Sequence, residues 1–139
     1  LENSKNHLGS VDILINNAGS SVMNHFMLSP MEVDKALFDL NVNALMNVSR
    51  LSAKLMKKSD SPSVFNFSSI ASTWSLEGQM AYAATKSAVE SITRTMSKEL
   101  SSFNVRVNCI TLPPIKTRLT RSVGKVKIDK LIERQIIKK

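Results

Sequence analysis

The sequence predicts an α/β fold built on a doubly wound parallel sheet in three α/β/α layers, and three observations carry that prediction. Short apolar runs alternate with long amphipathic ones in the order strand, helix, strand, helix, strand, helix. The first apolar run, Val11-Asp12-Ile13-Leu14-Ile15, reads as a strand buried on both faces, as parallel strands are. Each predicted strand also stops at a polar or proline-rich turn: Asn16 to Gly19, Ser68-Ser69, and Leu112 to Thr117. In open parallel sheets, ligands bind outside these carboxyl ends.

Taken in order, the first strand ends at Asn16-Asn17-Ala18-Gly19, and residues 20–29 read as loop. Ser29-Pro30 predicts a helix start, with Ser29 as N-cap, Pro30 at the first helical position and Glu32 in the first turn. That helix is expected to run to Lys57 or Lys58. Leu37, Asn41, Ala44, Val48, Leu51 and Leu55 fall at alternating spacings of four and three, so they share one face, with Asn41 its only polar member. Asp60-Ser61-Pro62 breaks the helix, and Ser63 to Ser69 is the second strand. After a loop from Ile70 to Gly78, a second long helix is expected from Met80 to about Ser102, with Thr85, Val89, Ile92, Met96 and Phe103 along one side. Val105 to Ile110 is the third strand, stopped by Leu112-Pro113-Pro114, and a final helix is expected over 128–137.

Composition restricts the function classes. With 139 residues, 42% of them hydrophobic and 22% charged, the chain suits one globular domain and excludes a disordered or low-complexity polymer. A single cysteine, Cys109, excludes an internal disulfide framework, and no apolar run is long enough for a membrane span. A protein of a reducing compartment, by default the cytoplasm, is the expectation. The net charge of +8 sits at one end: residues 116–139 hold nine basic and two acidic side chains, whereas the preceding residues hold ten and nine. With no aromatic residue after Lys116 and no recognition motif, nucleic acid is not the expected partner. The tail reads either as a solvated amphipathic helix or, through Arg118, Arg121, Lys125 and Lys127, as a surface favouring an acidic substrate or carrier. His7 and His25 have no partner at metal-ligand spacing, so no metal site is expected.

Tyr82 and Lys86 lie four residues apart near the start of the second long helix, on one face. A neighbouring ammonium stabilises a phenolate, so Lys86 is expected to lower the pKa of Tyr82 and let it exchange a proton with a carbonyl or alcohol oxygen. Ser69, at a strand end thirteen positions earlier, reaches the same oxygen. Asn41 is expected to hold a water linking Lys86 to solvent. Trp74, between Ser69 and Tyr82, reads as either a substrate contact or packing.

Asn16-Asn17-Ala18-Gly19 after an apolar strand, Asn41 in a helix, Ser69 at a strand end and Tyr82-x-x-x-Lys86, in this order, resemble the short-chain dehydrogenase/reductase family, most closely its 3-oxoacyl-(acyl-carrier-protein) reductase type. The resemblance covers nearly the whole chain, including Val107-Asn108 and Thr117. It implies a Rossmann-like domain of which residues 1–139 are the central and catalytic part, corresponding to strands four to six of a seven-stranded sheet. The N-terminal phosphate-binding part and the C-terminal strand are expected to lie outside it.

The implied activity is hydride transfer between NADP or NAD, NADP being favoured, and a carbonyl/alcohol substrate, including an acyl-carrier-protein-bound 3-oxoacyl thioester. Asn41, Ser69, Tyr82 and Lys86 would be catalytic. Asn17, Ala18, Gly19, Tyr82, Lys86, Ile115 and Thr117 would bind the cofactor. Homo-oligomerisation, as a dimer or tetramer through the Asn41 and Tyr82 helices, is also implied.

The sequence departs from the family in two places. Leu112-Pro113-Pro114 stands where Pro-Gly is usual, and the four glycines, Gly9, Gly19, Gly78 and Gly124, assemble no glycine-rich phosphate turn. An alternative reading is therefore a truncated, inactive relative serving as an interaction module.

Overall fold

The computed structural model of the chain describes residues 10–115, 129 and 131–133. Three strands, β1 (Ile13–Asn16), β2 (Ser63–Ser69) and β3 (Arg106–Leu112), form one parallel sheet in the order β1-β2-β3. Pairing of β1 with β2 ends at Asn16 opposite Asn66, whereas β2 and β3 continue together to Ser69 opposite Leu112. The carboxyl edge is therefore stepped, and the chain after Asn16 leaves the sheet beside a protruding β2.

Between β1 and β2 run α1 (Met31–Phe38), a π-helical segment (Asp39–Ala44) and α2 (Leu45–Met56), which together continue without a break. Between β2 and β3 lie the single turn α3 (Ala71–Trp74) and the long α4 (Met80–Glu99). Strand β2 has the predicted bounds, because Pro62 cannot extend a helix into it and the hydroxyls at its end compete for backbone partners. Short 3-10 turns occupy Phe26–Leu28 and Ser101–Phe103, both inside segments that the sequence leaves as loop or helix end. The expected N-cap moves by one residue: Pro30 takes the position, and the Ser29 hydroxyl donates instead to the Asp34 carboxylate at 2.7 Å. Of the final helix, Asp129 and 131–133 are helical, and its other residues lie outside the described ones.

Helices α2 and α4 cover one face of the sheet. Met56, Val64, Val105 and Val107 form the buried centre there, with Val11, Leu14, Met96 and Leu100 packed around them. Toward the carboxyl edge this apolar core gives way to a buried polar chain. Asn16 donates to Ser49 Oγ at 2.9 Å and to Asn66 Oδ1 at 2.8 Å, and Asn66 donates to Thr93 Oγ1 at 2.9 Å. Since each buried donor finds an acceptor, this chain ties β1, β2, α2 and α4 together without an orphaned amide.

Three expectations about burial are corrected. Strand β1 is not buried on both faces: Ile13 and Ile15 are 60% and 59% exposed, because no described helix covers the face they share. The stripe after Asn41 is also displaced. Leu45, Ser49, Ser52 and Met56 are buried, while Val48 and Leu51 are exposed. Each member lies one residue beyond the predicted Ala44, Val48, Leu51 and Leu55. The π-helical segment holds an extra residue per turn, which rotates everything after it by roughly 100° relative to a continuous α-helix. On α4 the buried stripe is Ala81, Tyr82, Thr85, Val89 and Thr93, so Thr93 replaces the expected Ile92 and Phe103 is exposed.

Candidate active site

The stepped carboxyl edge brings Asn41, Ser69, Tyr82 and Lys86 together. Asn41 sits in the π-helical segment, a feature frequent at functional sites, and is 2% exposed. Its Oδ1 accepts from Ser20 N at 2.9 Å, and its Nδ2 donates to Ser20 O at 2.9 Å and to Thr85 Oγ1 at 3.0 Å. The amide thus grips the backbone just past Asn17-Ala18-Gly19. The extra residue that displaces the stripe is also part of the segment that carries Asn41.

Ser69 ends β2. Its Oγ accepts from Ala71 N at 3.2 Å, and its side chain is close enough to the Tyr82 hydroxyl to act on it. Tyr82 is buried in the first turn of α4, and Lys86 lies one turn on, its Nζ 5.8 Å from the Tyr82 ring centre. Lys86 Nζ donates to Phe67 O at 2.9 Å, so the protruding end of β2 positions the ammonium.

The electrostatics correct one expectation. Burial pushes the Tyr82 phenol above its usual value of 10.0, and the hydrogen bond from Ser69 offsets this only in part. Burial likewise lowers Lys86. The expected fall in the Tyr82 pKa is absent because desolvation by the surrounding packing outweighs the lowering effect of Ser69.

Asn17, Ala18 and Gly19 are exposed along the edge. A Cβ at Gly19 would meet Asn41 Oδ1 at 3.3 Å and Lys86 Nζ at 3.7 Å, so glycine keeps this strip of backbone open beside the ammonium. Ile115 lies just past β3 and is half exposed. Thr117 and the basic residues Lys116, Arg118, Arg121, Lys125 and Lys127 lie outside the described residues. Trp74 closes α3, in the segment between Ser69 and Tyr82.

The sequence reading missed Ser20, Thr85 and Glu90. The first two act through backbone or hydroxyl groups that carry no spacing signal. Glu90 did carry one, since it continues the i, i+4 series Tyr82, Lys86, Glu90 along α4. Among the described residues, no three His, Cys, Asp or Glu side chains gather at a metal-binding distance, and no helix is long and apolar enough to cross a membrane.

The family model for the short chain dehydrogenase matches residues 1–127. The chain is 34% identical over 128 residues to a 3alpha-hydroxysteroid dehydrogenase of Mediterraneibacter gnavus, a match covering 92% of the chain and 51% of the relative. It is 33% identical over 116 residues to a 3-oxoacyl-(acyl-carrier-protein) reductase of Chlamydia muridarum, covering 84% and 47%. A gluconate 5-dehydrogenase of Burkholderia cenocepacia, solved with NADP and tartrate, superimposes with a TM-score of 0.89 at 25% identity, over 96% of the chain and 53% of that protein. The chain spans about half the length of the curated relatives it matches.

Proposed function

The chain belongs to the short-chain dehydrogenase family, and on that premise we propose that it carries the catalytic half of an NAD(P)-dependent oxidoreductase acting on carbonyl/alcohol pairs. The observation that carries this reading is the buried Tyr82 hydroxyl, beside Ser69 and one turn from Lys86, next to an exposed Asn17-Gly19 backbone. Asn17, Ala18 and Gly19, with Lys86, Tyr82, Ile115 and Thr117, hold the nicotinamide end of the cofactor. That cofactor supplies or accepts the hydride.

The chain's own groups handle the proton. Burial keeps Tyr82 protonated, which is the form carbonyl reduction needs, and its O–H gives the proton to the substrate oxygen that Ser69 orients. The phenolate left behind is stabilised by the Lys86 ammonium and regains its proton from that side. Asn41 holds Ser20, and through it the neighbouring Gly19, against the site.

The substrate class we favour is a 3-oxoacyl thioester on an acidic carrier, because residues 116–139 hold nine basic and two acidic side chains. NADPH is the favoured cofactor, in keeping with the NADP carried by the Burkholderia protein. Val48 and Leu51, left exposed on α2, supply an apolar contact for a second copy.

Tyr82→Phe tests the assignment. It keeps the buried ring and removes only the hydroxyl, so turnover should fall by about 100-fold or more with an unchanged circular dichroism spectrum. Undiminished turnover refutes the role of Tyr82.

A further inference from the structure

We propose that Glu90 is a positioning residue that sets the Ser69 hydroxyl through the hydroxyls of Ser68 and Ser72; this rests on the oxidoreductase reading above. Glu90 Oε1 accepts from Ser68 Oγ at 2.6 Å and from Ser72 Oγ at 2.7 Å. The two serines bracket Ser69. Ser72 Oγ also lies 2.8 Å from Ser69 O, and Ser69 Oγ accepts from Ala71 N within the same turn. Thr111, opposite Ser68 in the β2–β3 register, brings its side chain near the same carboxylate. One side chain on α4 therefore joins the ends of two strands and the turn between Ser69 and Ser72.

That turn needs an outside hold. Helix α3 has four residues and no side-chain N-cap, and it ends at Ser75 with φ of 49°, in the left-handed region. So short a helix does not hold itself together in water. A carboxylate accepting charge-assisted hydrogen bonds is a strong tether, and Glu90 comes from the same helix as Tyr82 and Lys86. It thereby refers the position of Ser69 to the helix carrying Tyr82. Glu90 touches neither Ser69 Oγ nor the Tyr82 hydroxyl in the described contacts, so its effect on them passes through Ser68 and Ser72.

The test is a double-mutant cycle in the active protein that carries this chain. Glu90→Leu should lower kcat by about tenfold while KM for the nicotinamide cofactor changes less than about twofold, since misplacing a reacting group weakens the transition state more than ground-state binding. Glu90→Gln keeps an acceptor oxygen and should recover most of that loss. In a Ser69→Ala background, Glu90→Leu should change kcat by less than about twofold, because the group it positions is gone. Ser72→Ala removes one tether with no change of charge. It should lower kcat by about threefold, again only when Ser69 is present, and it carries the test if Glu90→Leu fails to fold. Losses that multiply independently of Ser69, or full activity in both Glu90→Leu and Ser72→Ala, overturn the proposal. Undiminished turnover in Tyr82→Phe overturns the oxidoreductase reading itself; with Tyr82→Phe inactive, an independent Glu90 effect overturns only the role given to Glu90.

Discussion

Replacing Asn41 with Ala removes three hydrogen bonds at once from a side chain that is 2% exposed. Thr85 loses least, because its hydroxyl already donates to Tyr82 O at 2.7 Å. Ser20 loses most: its N–H and C=O each give up a partner at 2.9 Å, and the residue is half-buried, so water restores those bonds only in part. At about 1 kcal/mol per bond, and up to about 3 for a group left unsatisfied, the loss is about 2–3 kcal/mol. It falls on the loop that carries Gly19 rather than on the sheet.

Amide hydrogen exchange reads this directly. The Ser20 amide should exchange about 10- to 100-fold faster in Asn41→Ala, while the amides of β2 change only in step with global stability. Unchanged exchange at Ser20, with a urea-derived stability within about 0.5 kcal/mol of the parent, would refute the argument that this amide holds the loop.

The remaining predictions address separate parts of the molecule. Thr93→Val keeps the shape but leaves Asn66 Nδ2 without its buried acceptor, and urea unfolding should show a loss of about 1–3 kcal/mol; a neutral result would mean that the amide finds another partner. Tyr82 is the only tyrosine among these 139 residues, so in this chain absorbance at alkaline pH follows it alone. Its midpoint should lie above 10.0 and rise further in Ser69→Ala, which removes the hydrogen bond that lowers it; a fall would contradict that bond. Because the folded-state pKa is raised, the Tyr82 contribution to stability is complete below pH 10.0 and is lost as pH rises through the folded value, so Tyr82→Phe should flatten the alkaline limb of a stability profile. Val48→Lys with Leu51→Lys should convert an oligomer to monomers in analytical ultracentrifugation without unfolding it, and an unchanged sedimentation coefficient would place the interface elsewhere.

Local patterns in the sequence determined the elements. Pro62 and the serine-rich end bounded β2 correctly, alternation of strands and helices gave the parallel order, and spacing placed Tyr82 one turn from Lys86, whereas Asn41 and Ser69 joined them as one constellation through the family resemblance. The elements and the Tyr82–Lys86 pair follow from backbone sterics and from residue chemistry at fixed spacings, both of which act over a few positions. Tertiary structure alone decided the rest. Whether Ile13 and Ile15 are covered depends on which helices lie over that face, and no property of the strand itself reports it. The burial of Ser49 in place of Val48 follows from one extra residue in the turn around Asn41, a phase change that a repeating pattern of apolar residues does not contain. The direction of the Tyr82 shift was decided in the same way. Spacing placed an ammonium one turn away, but the desolvation that raises the phenol comes from the surrounding packing, and the Lys86 ammonium is itself held by Phe67 O, nineteen residues earlier in the chain.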